Sequence, residues 1–331
     1  MLAVIVLVGS PFWGMPFAHS RPTPVGLRGA VRSDFAILQN RDRNPLRGIP
    51  PNGPRACSPQ LLYVGKEMKH VHIAELDRDG GPVFAGLRFE TPWSVFDYYA
   101  SEPGEVRSIA GEGERCERGY VLLGGPAELV VGSFRKESDG SWGLRGASGE
   151  GPGFIIGPIA YDHELGNLTE RVFGVFDVQV AMDRGQMAAI EQETFVHAGS
   201  FSQAELKWRD AIHGGCGKIA TRHVLKPEDF CSTWTFLDHA ILSEGGSVGY
   251  HYHDALEESF VVLSGEGLMT IDDETFAVGQ GSVTWQGIGQ GHGIYNPGPE
   301  ELEFVRIAVA QRDEECTTID LHDDLSSREP T

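Results

Sequence analysis

Cysteine is scarce in this 331-residue chain, and its five residues (Cys57, Cys116, Cys216, Cys231, Cys316) are odd in number, widely spaced and without a CxxC pair. That pattern excludes a disulfide framework and a thiolate zinc knuckle, and leaves scattered free thiols suited to a cytoplasmic protein. Positive charge is scarce too: 27 Lys and Arg against 47 Asp and Glu give a net charge of −20. An acidic surface repels phosphate, which argues against nucleic acid as a partner. Long apolar runs are missing. The first seventeen residues, MLAVIVLVGSPFWGMPF, have no preceding Lys or Arg and are interrupted by Pro11 and Pro16. They are too short for a bilayer and poor as a signal peptide, so no membrane association is expected. Strong helix formers are in modest supply, whereas 43 glycines and 19 prolines predict many short strands joined by turns.

What the chain does contain is an internal repeat. The segment TPWSVFDYYASEPGEVRSIAGEGERCERGYVLLGGPAELVV from Thr91 aligns without a gap on STWTFLDHAILSEGGSVGYHYHDALEESFVVLSGEGLMTI from Ser232. The constant separation of 141 residues matches Trp93 to Trp234, Asp97 to Asp238, Glu117 to Glu258 and Gly124 to Gly265. Farther on the separation falls to 129, so that His163 matches His292 and Asn167 matches Asn296, with a hairpin insertion expected around Arg135–Glu150. Apolar runs such as SFVVL, FVRIAVA and YVLL bounded by Gly-rich turns read as strands, and a closed sandwich or barrel per unit protects their edges. The expected organisation is a flexible Arg- and Pro-rich arm over 1–56, units over 57–182 and 183–312, and an acidic tail over 313–331. One helix is expected over Phe201–Ile212 (FSQAELKWRDAI).

The second unit holds the chemistry. His251 and His253, at i and i+2 on a strand, project to one face and can converge on one ion. Glu258 opens the next strand, and His292 arrives from a separate Gly-rich segment. Three imidazoles and one carboxylate suit a divalent ion such as Fe, Mn, Ni, Co or Zn and leave room for water or substrate. Alternation turns the neighbouring Glu257 outward as a solvated carboxylate. In the first unit Ala110 and Glu112 stand at the positions of His251 and His253, while Glu117, His163 and Asn167 persist. Glu112, Glu117 and His163 are therefore read as a vestigial site whose unit now serves packing.

These residues resemble the two motifs of the cupin superfamily, G-x5-HxH-x3,4-E-x6-G and G-x5-PxG-x2-H-x3-N. The first runs from Gly245 to Gly265 and the second from Gly281 to Asn296, with Gly287 in place of the motif proline; the first copy retains that proline as Pro158. The resemblance implies a bicupin: an all-β chain of two tandem jelly-roll-like barrels with minor helices. It also implies one divalent metal, most readily Fe(II), with Mn, Ni or Zn as alternatives, held by His251, His253, Glu258 and His292. Cupins with this ligand set span several reactions, so the fold does not choose the function. The expectation is a metal-dependent oxygenase of the dioxygenase type, an oxidoreductase acting on a small organic molecule. Alternatives are a redox-neutral isomerase, decarboxylase or cyclase, and a ligand-binding cupin without turnover. Phe260, Val262, Trp285, Met269 and Ile294 are candidate pocket residues, each equally readable as barrel core. Tyr295, Tyr250 and Asp238 are nominal acid/base candidates. Arg306, whose repeat partner is Asp177, is read as a structural charge before a substrate anchor. A homodimer is a possible assembly for a duplicated chain of this kind.

Overall fold

The computed structural model describes residues 4–8, 69–110, 116–131, 143–146, 151–158, 163–190, 194–312 and 315–331. Most of the expected arm over 1–56, part of the 135–150 insertion and Glu112 lie outside them. Val4–Val8 forms a parallel edge strand beside Thr194–Ala198.

The strands that position the site are, in chain order, β1 (His70–His72), β2 (Trp93–Ser101), β3 (Val106–Ile109), β4 (Cys116–Leu122), β5 (Gly153–Gly157), β6 (His163–Asn167), β7 (Phe173–Ala181) and β8 (Thr194–Ser200). The second repeat supplies β9 (Lys218–Leu225), β10 (Trp234–Leu242), β11 (Ser247–His253), β12 (Leu256–Ser264), β13 (Ser282–Gln286), β14 (His292–Tyr295), β15 (Leu302–Ala310) and β16 (Thr318–Asp323). Each repeat pairs a seven-stranded sheet with a smaller one, of four strands in the first repeat and five in the second. Period-two alternation divides the side chains between two cores. Phe260, Val262, Met269, Ile294 and Phe304 fill the interior of the second repeat. Tyr99, Tyr120, Leu122 and Val175 fill that of the first. The opposite faces of the two large sheets share a third core containing Trp93, Phe96, Phe176, Trp234, Val261, Trp285 and Val305. The central strands are consequently buried on both faces, which explains why SFVVL and FVRIAVA are continuous apolar runs rather than alternating ones.

Each repeat places a strand on the other's sheet. β1 pairs antiparallel with β13 (His70↔Thr284), and β8 pairs antiparallel with β5 (Ser200↔Gly153). Two buried carboxylates reinforce the exchange. Glu257 accepts hydrogen bonds from the Glu90 and Thr91 amides and the Thr91 hydroxyl, at 3.0, 3.1 and 2.5 Å. Glu117 accepts the matching set from the Cys231 and Ser232 amides and the Ser232 hydroxyl, at 3.0, 2.9 and 2.6 Å. Glu257 is thus fully buried, not solvated as alternation predicted. Strand alternation does turn it away from Glu258, but the face it turns to is the packed interface between the repeats.

Two further expectations fail. Phe201–Ile212 holds one 3-10 turn (Gln203–Glu205) and a strand, Lys207–Asp210, that pairs with β9. A twelve-residue helix is marginal on its own, and edge pairing satisfies the backbone instead. The α-helix is Arg184–Ile190. The acidic segment read as a tail contains β16, which pairs antiparallel with β11 (His253↔Thr318, His251↔Asp320).

Candidate metal centre

β11 and β14 lie side by side with His251 directly across from His292, and a bulge between Val248 and His251 aligns the second half of β11 with β14. β12, in the facing sheet, brings Glu258 from the other side. One ligand atom from each of His251, His253, Glu258 and His292 falls within 4.8 Å of all the others. Glu258 Oε2 stands 3.2 Å from His253 Nε2 and 3.0 Å from His292 Nε2. All four residues are buried, His253 being the most exposed at 5%.

The outer nitrogens decide which atoms face the centre. His251 Nδ1 bonds the Gly249 carbonyl at 2.8 Å, and His292 Nδ1 bonds the Gln290 carbonyl at 2.9 Å. A carbonyl only accepts, so both Nδ1 atoms carry the proton and both Nε2 atoms present a lone pair. His253 Nδ1 lies 3.0 Å from the Thr318 hydroxyl on β16. His251 Nε2 is buried without any hydrogen-bond partner, while Glu258 Oε1 meets only the Arg306 guanidinium. A buried lone pair of this kind, aimed at a carboxylate and a second imidazole lone pair, is costly unless a cation lies among them, so the donor set fits a divalent metal.

Electrostatics supports the same reading. Burial opposes ionisation of Glu258, yet the Arg306 guanidinium beside it holds its pKa well below the usual carboxylate range. Burial, then the neighbouring imidazoles, pushes His251 well below its usual value, and burial also lowers His253. Neutral imidazoles and an ionised carboxylate are the forms that bind metal. Arg306 is the centre's permanent cation. Its Nη1 lies 3.3 Å from Glu258 Oε1, and its Nη2 bonds Asp238 Oδ2 directly across the β10–β15 ladder. Asp238 also accepts from His223 Nδ1 at 2.6 Å. Arg306 thus links Asp238 to Glu258 within the second repeat.

Of the pocket candidates, Phe260, Val262, Met269 and Ile294 share the interior with the cluster, the Phe260 ring lying 6.1 Å from that of His292. Trp285 does not: it pairs with Ser259, one register step from Glu258, and faces the core between the repeats. The interior positions of that strand are Thr284 and Gln286, whose side chains bond each other at 2.7 Å. Tyr250 points away from the cluster, donating to the Asp272 carbonyl at 3.0 Å beneath the Arg328 guanidinium. Tyr295 follows Ile294 and falls on the opposite face of β14. Sequence reasoning also missed His213, whose ring stacks on His251 with centroids 4.1 Å apart. Burial lowers its pKa to about 4. No motif spacing marks His213, because it reaches the site from the loop between Lys207–Asp210 and β9, outside both motifs.

Among its described residues the first repeat brings no matching ligand set together. Ladder registry (Val180↔Glu117, Val309↔Glu257) makes Glu117 the counterpart of Glu257, one residue off the ungapped alignment. The counterpart of Glu258 is Arg118, which forms a two-pronged pair with Asp177, the counterpart of Arg306. The two repeats thus carry the same ion pair with opposite sign. Across from His163 stands Ile109 where His251 faces His292, and His163 Nε2 bonds the Tyr120 hydroxyl.

Comparison with known proteins agrees with this architecture. The family model described as "Cupin domain" matches residues 238–308. An oxalate-binding protein of Thermotoga maritima is 29% identical over 98 residues, covering 30% of this chain and 81% of that protein. An uncharacterised protein of Methanocaldococcus jannaschii is 31% identical over 98 residues, covering 30% of this chain and 78% of that protein. The solved structure of Lactobacillus farciminis oxalate decarboxylase in its formate complex superposes with a TM-score of 0.50 at 13% identity, covering 78% of this chain and 90% of that one, a likeness of fold alone. The matched segment runs from within β10 to within β15, and the first repeat has the same two-sheet fold, so this chain belongs to the cupin superfamily as a bicupin, with a candidate metal-ligand cluster in its second repeat.

Proposed function

We propose that the second repeat holds one divalent metal on His251, His253, Glu258 and His292, and that the protein decarboxylates a small carboxylate of the oxalate class. The oxygenase reading gives way to the redox-neutral alternative. The observation that carries the reading is the buried four-residue cluster in a segment related to an oxalate-binding protein. When bound, the metal supplies a positive charge on which a substrate carboxylate oxygen can rest. Imidazole and carboxylate donors accept Mn(II) as readily as Fe(II), and an oxygen-rich substrate suits the harder ion.

The chain's own residues do the rest. Arg306 keeps Glu258 ionised. Phe260, Val262, Met269 and Ile294 exclude water, which strengthens every charge interaction inside the repeat. Thr284 and Gln286 give that interior its polar edge, with Gln286 Oε1 buried and without a partner. In the reaction the C–C bond of the oxalate monoanion breaks, carbon dioxide leaves, and the acid proton ends on carbon as formate. No external oxidant is needed.

The test is metal content together with product analysis. Purified protein should hold about one equivalent of metal per chain, and His292→Ala should lose it. With Mn(II) bound, labelled oxalate should yield carbon dioxide and formate in equal amounts without oxygen uptake. Stoichiometric oxygen consumption would restore the oxygenase reading. Tight oxalate binding without product would favour the second reading, a ligand-binding cupin, which the relationship to an oxalate-binding protein also supports.

A further inference from the structure

His213 lies in the connection between Lys207–Asp210 and β9, and its backbone has a φ of +53°. A non-glycine residue in the left-handed region costs of order 1 kcal/mol and persists only where its surroundings over-determine it. They do so here. The Gly215 and Gly249 amides both donate to the Ile212 carbonyl, at 3.0 and 3.1 Å, and the Ala211 amide donates to Gly217 at 3.2 Å. The Cys216 amide donates to the Ser247 hydroxyl at 2.9 Å. The segment is pressed so closely onto β11 that a Cβ on Gly249 would lie 2.0 Å from the His213 carbonyl. Gly215 has no more room, with the Ser247 carbonyl 2.4 Å from such a Cβ.

The fold therefore accepts local strain to hold one imidazole against a metal-ligating histidine. The His213 ring lies nearly parallel to that of His251, at 22°. Among the described residues no hydrogen bond reaches its ring nitrogens, and it is only partly buried while all four ligands are closed off. Partly exposed and in contact with the cluster, it stands between the buried centre and solvent. A polar ring without a protein partner at that position is suited to a partner that comes and goes.

We propose that His213 is the mouth residue of the metal centre, and that its free ring nitrogen hydrogen-bonds the small anion occupying the metal's open coordination positions. This rests on the proposed metal binding. It adds a substrate-positioning residue that lies outside both cupin motifs and comes from the loop between Lys207–Asp210 and β9.

The test uses the full-length protein loaded with Mn(II), with oxalate and azide as separate probes. His213→Gly is the informative deletion because glycine adopts the left-handed backbone freely, and His213→Asn retains a short donor with the same tolerance. Circular dichroism and the Mn(II) Kd check that each variant is folded and loaded. The expected result is a Mn(II) Kd within about threefold of wild type, anion Kd raised about tenfold or more in His213→Gly, and an intermediate value in His213→Asn. A weakened Mn(II) Kd with unchanged anion affinity would overturn the proposal, since His213 would then only support His251. Azide binding without oxalate binding in wild type would remove the oxalate reading while leaving His213 to be judged on azide. Loaded wild-type protein that binds neither anion overturns the proposal, because no open position then lies beside His213.

Discussion

Arg306 and Glu258 set the energetics of the site one side chain at a time. Burying an isolated carboxylate costs several kcal/mol, and the guanidinium beside Glu258 offsets this only while Asp238 balances the second positive edge. In the metal-free protein, Arg306→Met should leave Glu258 as a buried anion without its guanidinium and Asp238 with only His223, and destabilise the fold by about 3–5 kcal/mol, read as a fall in Tm. A Tm within 1 °C of wild type would show that the pair is dispensable. His223, at the solvent end of this chain of charges, titrates upward because its Nδ1–H donates to Asp238. A folded-state pKa above the unfolded value means that its contribution is complete below about pH 6.5 and is lost as pH rises through the folded value. The Tm difference between wild type and His223→Gln should therefore be largest in mild acid and shrink in alkali. The side chain is half exposed, so the effect should not exceed about 1 kcal/mol. A difference that grows with pH would contradict the assignment. The convergence of His251, His253, Glu258 and His292 could be read from their spacing, because two-residue alternation and a second motif leave few other geometries. Arg306 could be noticed but not placed, since charge partners on neighbouring strands are invisible until the ladder is known. His213 left no trace, because an unpatterned connection has no period from which to argue.

Strands, not single residues, determine how well the metal is held. β16 belongs to the segment that composition marks as a tail, yet its Thr318 hydroxyl supports His253 Nδ1. Losing such an outer partner typically weakens metal binding 10–100-fold. Thr318→Val should shift the Mn(II) Kd by that order without unfolding the repeat, and an unchanged Kd would place His253's orientation under other control. Acidic composition concealed this strand because none of its residues is buried, and it joins the sheet through its backbone and the Thr318 hydroxyl. The mismatch at Glu117 has a similar origin. An ungapped alignment cannot register a one-residue change of offset between strands, so it paired Glu117 with Glu258 when the ladder pairs it with Glu257. One residue of slip in a strand sends a side chain to the opposite face, which turns a presumed relic ligand into an interface clamp.

For the whole molecule, the duplication was legible and its interlocking was not. Periodicity and spacing gave two β units, but apolar runs do not say which sheet a strand joins. Glu117 and Glu257 link the halves through matched triads of hydrogen bonds, and each should act independently of the other because they lie in different repeats. Glu257→Gln and Glu117→Gln should each cost about 1–3 kcal/mol, and the double variant about the sum, by denaturant titration. Strong non-additivity would mean that the two clamps act as one.

The crossed strands have a consequence for how this chain can be divided. A cut after residue 182 would send β8 away with the wrong half and leave β13 without β1, so each fragment would carry an open sheet edge and a strand whose partner sheet is elsewhere. Joined in one polypeptide, the repeats have the connectivity of a swapped dimer whose partners can never dissociate. The half with the candidate metal cluster is therefore not a portable module: its large sheet is finished by His70–His72 of the first repeat.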